Sequence, residues 1–73
     1  PWIAEGVENM VGDTFEGRVH KVSARGVTVQ LRPGVLGHLP LEGHDQLPLH
    51  GQLIQVTVLK VELDAQRMLL SQG

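Results

Sequence analysis

Three histidines stand six residues apart in the segment GHLPLEGHDQLPLHG, residues 37–51: His38, His44 and His50. Imidazole is a common metal ligand, and zinc-binding histidines are usually spaced so that both rings share one face of a helix or strand. A spacing of six that crosses two prolines and a glycine does not hold the rings in such a geometry. We therefore predict no metal site and no cofactor, and we expect His44 and His50 to be exposed loop residues.

Nucleophilic and acid–base catalysis find no support in the residue pattern. The chain has no cysteine, and its two serines, Ser23 and Ser71, do not form a pattern with histidine and aspartate that indicates a triad. The carboxylates Glu62 and Asp64 lie beside a predicted turn. Their position at the end of a strand explains them without a catalytic role. A chain of 73 residues forms one small domain with little room for a substrate cleft. The sequence predicts a protein without catalytic activity.

The charged residues are unevenly distributed along the chain. Residues 17–41 contain four cations and no acid, whereas the rest of the chain has two cations against eight acids, a net charge of −6. This polarity would steer an anionic ligand toward one side of the molecule, although the same charges could simply solvate a surface. No apolar run approaches the roughly 18 residues of a membrane span, so we expect no membrane partner.

Alternation of apolar and polar residues predicts five strands, at residues 13–23, 26–31, 35–39, 52–63 and 67–71. The turn signals SARG, RPG and DAQ separate them, and the histidine-containing segment is interpreted as a loop. Residues 1–10 lack sustained alternation and are interpreted as a linker or docking segment, anchored through Trp2 or Ile3. The domain itself is predicted to cover residues 11–73.

Five strands, a loop between the third and fourth, and almost no helical periodicity predict an all-β fold. The layout favours a five-stranded antiparallel barrel of the OB type with a crossover loop between strands 3 and 4, and an SH3-like barrel is the alternative. Closure of the sheet would remove exposed edges, which matters for so small a core. Four leucines of the loop region are expected to close the open end of the barrel: Leu39, Leu41, Leu47 and Leu49.

An ordered set of glycine and apolar positions covers residues 11–71. It consists of Val11-Gly12, Gly17-x-Val19, Gly26-x-x-Val29, Gly34-x-x-Gly37-x-Leu39, Gly51, Val56-x-Val58-Leu59-x-Val61 and Arg67-Met68-x-Leu70-Ser71. In this order and spacing the set resembles the RNA-binding domain first named from ribosomal protein S1. The resemblance implies an OB barrel that binds single-stranded RNA across its first three strands.

The sequence departs from this family at the positions that stack on bases. The family commonly places one aromatic just before the glycine of the second strand and another two positions after it, where this chain has Arg25 and Thr28. A family histidine falls near Pro40, and an acidic position that is often Asp is Glu62, whereas Arg67 is kept. Affinity would therefore come mainly from cations at phosphates, which predicts weak, salt-dependent and sequence-tolerant binding.

The predicted RNA-contacting residues lie in three places: on the polar face of the first three strands, in the turn between the first two strands, and on the last strand. They are Arg18, His20, Lys21, Arg25, Thr28, Gln30, Arg32, His38 and Arg67. His20, Thr28 and Gln30 are assigned to polar strand faces, whereas Lys21 and Arg25 are assigned to the turn. Phe15 is interpreted as a core residue, with a ring that reaches the binding face as the alternative.

Two functions remain open at the level of the sequence. The first is a non-catalytic module that binds single-stranded RNA, including ribosomal or other structured RNA, within a larger intracellular protein of RNA processing, translation or ribosome biogenesis. The second is the same barrel, without its aromatic residues, used for protein–protein interaction or as a spacer repeat. We expect neighbouring domains of the same chain as further partners, and a monomer when the domain is isolated. The compartment, whether nucleus, nucleolus or cytoplasm, is not predicted.

Overall fold

The computed structural model describes residues 6–41 and 46–72, and these form five strands. The strands are β1 (Thr14–Ser23), β2 (Gly26–Arg32), β3 (Val35–Pro40), β4 (Leu53–Glu62) and β5 (Arg67–Gln72). Each strand end lies within one residue of its position predicted from the alternation. Buried positions alternate with more exposed ones along much of each strand, so one face of the sheet lines the barrel interior.

The strands close into a barrel with the order β1-β2-β3-β5-β4, and β4 returns to pair with β1. The predicted five-stranded OB barrel is thereby confirmed, with the crossover between β3 and β4 and with β5 lying between these two strands. Four of the pairings are antiparallel, as predicted. The fifth, between β3 and β5, is parallel and is made at a single bridge between His38 and Leu69.

The inward-facing side chains fill the barrel with aliphatic residues. The fully buried ones include Val19, Val29, Val58 and Leu70, and Phe15 packs partly buried against this core. Gly37 faces inward too, and a Cβ built on it would stand only 2.7 Å from Leu70 Cδ1. The glycine therefore leaves the space that the leucine occupies, so side-chain volume is matched across the barrel.

Three β-bulges interrupt the alternation in the described strands, between Val19 and Lys21, between Gln30 and Arg32, and between Val58 and Lys60. A bulge adds one residue to a strand and reverses the faces of the residues that follow. The bulge at His20 moves Lys21 to the outer face, where it lies opposite Thr28 within the strand. The assignment of Lys21 to the turn was therefore wrong, because β1 stays paired with β2 beyond the bulge as far as Ser23.

A short 3-10 helix, Val7–Met10, precedes the barrel and packs against its core. Val7 and Met10 are buried, and the Gly12 N–H donates to the Val58 carbonyl at 2.8 Å. The predicted boundary between a segment at 1–10 and a domain at 11–73 stays a prediction, but the described part of that segment contributes to the domain core. Trp2 and Ile3 lie outside the described residues.

The leucines expected to close the open end of the barrel divide into two pairs. Leu39 is buried and Leu41 packs against the core, as expected. Leu47 and Leu49, in contrast, are 63% and 76% exposed, so their predicted role was wrong. The aliphatic side chains of the strands already fill the barrel interior, and Leu47 lines a groove beside Leu39 and Leu41 while most of its side chain stays in solvent. No helix in the described part of the chain has the length and apolar character to cross a membrane.

Candidate nucleic-acid interface

The register of β1, β2 and β3 places predicted contact residues in two rows on the outer surface of the barrel. In the first row, Arg18 on β1 lies opposite Gln30 on β2, and Gln30 lies opposite Leu36 on β3. In the second row, Lys21 lies opposite Thr28, and Thr28 lies opposite His38. Directly opposed residues have Cβ atoms about 5 Å apart. The two rows therefore form one continuous surface, which we call the β1–β3 face.

A shallow depression lies where β3 meets β5 at the edge of the β1–β3 face. Thr28, Leu36 and His38 line it from one side, and Gln66 and Arg67 line it from the other. The parallel bridge between His38 and Leu69 is the contact that brings the start of β5 to this place. Arg67, distant in sequence from the other cations, thereby joins Thr28 and His38 in one site.

A second depression adjoins the first across the pair Gln30 and Leu36. It is lined by Arg18, Gln30 and Arg32, together with the acidic Glu16 and the exposed Leu53. The guanidinium of Arg32 extends toward the segment before β1, since its Nη2 lies 3.8 Å from the position that a Cβ on Gly6 would take. Arg32 is thus at the margin of the β1–β3 face, and Glu16 reduces the positive charge at this margin.

The remaining predicted contacts lie at the two irregular points of β1. His20 occupies the bulge and is exposed, and Arg25 is exposed in the turn between β1 and β2. The Ser23 hydroxyl donates to the Gly26 carbonyl at 3.1 Å across this turn. That hydrogen bond holds the turn closed while the Arg25 side chain remains in solvent.

Aromatic rings are scarce on this surface. Phe15 packs partly buried against the core, which agrees with its interpretation as a core residue. His50 is exposed in a turn, as expected, whereas His44 falls outside the described residues. Among residues 6–41 and 46–72, no group of three or more histidine or acidic side chains could hold a metal ion. The imidazole of His38 is the ring that lies next to Thr28.

The sequence identified the polar side chains of this surface but missed Leu36. This leucine is 37% exposed, follows the turn at Pro33 and Gly34, and lines the first depression opposite Gln30, which lines the second. Its position in the alternation of the third strand, between inward-facing Val35 and Gly37, was the signal that could have identified it.

Comparisons with known proteins agree with this geometry. The small ribosomal subunit protein bS1 of Streptococcus pneumoniae (strain ATCC BAA-255 / R6) is 36% identical over 81 aligned positions, which cover 97% of this chain and 20% of that protein. The chain thus spans about one fifth of this relative. No protein-family model matches the chain.

Two solved structures share the fold. A multidomain protein with nucleic acid binding domains from Streptococcus pneumoniae TIGR4 has a TM-score of 0.76 at 21% identity, over 90% of this chain and 24% of that one. GSP13 from Bacillus subtilis, solved in solution, has a TM-score of 0.73 at 26% identity, over 85% of this chain and 54% of that one.

A closed barrel of five strands in the order β1-β2-β3-β5-β4, with a crossover after β3, defines an OB-fold domain. The similarity to bS1 extends over nearly the whole chain, and the barrel superposes on that of GSP13. The chain belongs to the S1-type family of OB-fold domains, and the predicted resemblance is confirmed.

Proposed function

We propose that this domain binds single-stranded RNA through the β1–β3 face and Arg67, as a non-catalytic module of a larger protein. The observation that carries the proposal is the register of the sheet, which gathers Arg18, Lys21, Thr28 and His38 on adjoining positions of one surface. Arg67 joins them at the depression between β3 and β5. A surface of this kind can contact several phosphates of one strand in succession.

The binding is weak, strongly salt-dependent and tolerant of sequence. Phosphate contacts from Arg and Lys release counterions and carry no sequence information, so their contribution decreases as salt is added. The positions at which S1-type domains commonly have aromatic residues are Arg25 and Thr28 here, and each stacked base that is absent removes about 1–3 kcal/mol. Affinity of a single domain therefore rests on its cations.

The relative bS1 supports the wider role. That protein is named as a component of the small ribosomal subunit, and this chain corresponds to about one fifth of it. We place the domain in a protein of translation, ribosome biogenesis or RNA processing, in which neighbouring domains of the same chain bind along with it. Linked weak sites gain affinity from their high effective concentration, so a module of modest affinity is useful in such an array. The isolated domain is monomeric.

A two-dimensional NMR titration of the domain with single-stranded RNA, at low and at moderate salt, tests the proposal. We expect shifts confined to β1, β2, β3 and the start of β5, and we expect them to diminish as salt is raised. A spectrum that stays unchanged at low salt contradicts RNA binding by this domain. Shifts centred on β4 instead contradict the assignment of the surface.

Protein–protein interaction, or a role as a spacer repeat, is the second candidate function. The observation that favours it is a groove lined by Leu41, Leu47 and Ile54, together with the exposed Leu49 two residues after Leu47. Exposed apolar patches often mark surfaces that another protein covers. An unchanged spectrum with RNA, together with a folded domain, favours this alternative.

A further inference from the structure

The imidazole of His38 lies on the β1–β3 face in the space beside Gly26 of β2. A Cβ built on Gly26 would stand 2.8 Å from Cε1 and 3.0 Å from Nε2 of this ring. These distances are shorter than ordinary van der Waals contact, so a side chain at Gly26 would displace the imidazole from this position and would also meet the Leu39 carbonyl oxygen at 2.6 Å. The half-buried ring therefore lies against the backbone of β2.

The same ring forms part of the depression between β3 and β5. His38 lies directly opposite Thr28, whose short side chain leaves the space above β2 open. Leu36 adds an apolar contact on the same strand, and Arg67 adds a cation from β5. The depression encloses about 160 Å³, whereas pockets for small molecules begin at roughly 300 Å³. A site this small and shallow is suited to one flat group at its edge rather than to an enclosed ligand.

We propose that His38 is the base-stacking residue of this domain and that an unpaired nucleobase lies in the depression against its imidazole. The inference rests on the proposed RNA binding and deepens it. RNA-binding surfaces stack unpaired bases on aromatic rings, histidine included, while guanidinium groups contact the neighbouring phosphates. Here the imidazole takes the place of the rings absent at Arg25 and Thr28, and Arg67 holds the backbone beside the stacked base.

The position of the ring beside Gly26 favours stacking with a base. Because the half-buried ring already lies against β2 in the free domain, a base can stack on its outer side without a change in the position of the ring. Leu36 can contact the edge of the same base and exclude water from it. The ligand class that fits is a single-stranded nucleic acid whose bases are not paired, since a base within a duplex is stacked on its neighbours and unavailable.

The test compares two probes and four variants. The probes are a short oligouridine and an oligomer of the same length and phosphate number whose sugars carry no base. We expect His38→Ala and His38→Leu to weaken oligouridine binding about fivefold or more, the lower end of the range for one stacked base. Binding of the baseless probe remains unchanged in both variants. His38→Phe restores or exceeds the original affinity, and the matched control His50→Ala has no effect on either probe.

His38→Leu keeps an apolar side chain in the space beside Gly26 but has no aromatic ring. This variant therefore still tests the inference if His38→Ala does not fold. Thermal unfolding of each variant gives the folded fraction. Equal weakening of both probes overturns the inference, because the histidine then acts through charge or through the fold. The inference is also overturned if His38→Phe binds oligouridine as weakly as His38→Ala does. If His38→Leu binds oligouridine as well as the original domain does, the stacking role of His38 is overturned and the proposed RNA binding stands. If the original domain binds neither probe, both proposals are contradicted.

Discussion

The side chain at position 28 determines what contacts the centre of the β1–β3 face can make. Thr28 lies between Lys21 on β1 and His38 on β3, and it is half-buried. A threonine offers a methyl group and a hydroxyl but no aromatic face. Its neighbours therefore have to supply both the charge and the ring that a nucleic acid needs.

Replacing this threonine with an aromatic residue is expected to strengthen RNA binding. Thr28→Phe adds a ring in contact range of His38, and one further stacked base corresponds to about tenfold in affinity. Fluorescence anisotropy with a labelled oligouridine measures the change. Thr57→Phe is the matched control, since Thr57 is also half-buried but lies on β4 and pairs with β1 from the other side. Equal gains in both variants would show that added apolar surface alone strengthens binding.

Charge reversal at Arg25 is expected to remove most RNA binding without loss of the fold. The residue is exposed in a turn that the Ser23–Gly26 hydrogen bond closes, so Arg25→Glu disturbs no packed contact. It replaces an attraction to phosphate with a repulsion, and affinity at low salt should fall by at least about tenfold. Lys60→Glu makes the same change of charge on β4 and should have a smaller effect. Unaltered affinity in Arg25→Glu would show that the turn does not contact RNA.

At the scale of the strand, the bulge at His20 creates the binding surface. Arg18 and Lys21 are three positions apart, and strict alternation would place their side chains on opposite sides of β1. The extra residue in the strand brings both to the outside, where they face Gln30 and Thr28 respectively. On the inward side of the strands, side-chain volumes are complementary, because Gly37 on β3 leaves the space that Leu70 on β5 occupies.

Gly37→Ala is expected to destabilise the barrel by about 1–3 kcal/mol, since the added methyl group meets Leu70 Cδ1 at 2.7 Å. Leu70→Ala alone should cost about 2–5 kcal/mol through the cavity it leaves. In the double variant the methyl group added at position 37 occupies part of that cavity, so the combined loss should be smaller than the two single losses together. Urea unfolding measures all three free energies. Strict additivity would mean that the two side chains do not compete for the same space.

The whole molecule is polarised, although its net charge is only −2. The cations of residues 17–41 lie on or beside the β1–β3 face, and the acids belong to the rest of the chain. Acidic surfaces elsewhere repel a polynucleotide and so orient its approach toward the basic side. Glu16 lies at the margin of the face, in the depression that Arg18 also lines, and Glu62 lies directly opposite Arg67 on the neighbouring strand.

This distribution predicts a definite salt dependence. Four phosphate contacts, from Arg18, Lys21, Arg25 and Arg67, give a slope of log affinity against log salt of about −3, since each contact to a single strand contributes about −0.7. Arg18→Gln should reduce the magnitude of that slope by about 0.7, and Lys60→Gln should leave it unchanged. Titrations at several salt concentrations measure the slope. A slope near zero would mean that phosphates do not dominate the binding.

The strands were predictable because local alternation and turn residues carry their own physical signal. An inward-facing position in a small barrel must be apolar, and Pro33-Gly34 permits a reversal that few other pairs permit, with Gly34 at a φ of 81°. The order of glycine and apolar positions identified the S1-type family for the same reason. Leu47 and Leu49 were misassigned, because an apolar loop residue has no register that fixes which side it faces.

The sequence by itself determined the five strands, the class of barrel and the side chains available for binding, because each depends on near neighbours in the chain. Only the tertiary structure decided how they combine. The bulge moved Lys21 to the outer face, Gly26 admitted the ring of His38, and the bridge between β3 and β5 brought Arg67 to Thr28. These contacts join residues of different strands, and they form only when the register of each strand is set against its neighbours in the barrel.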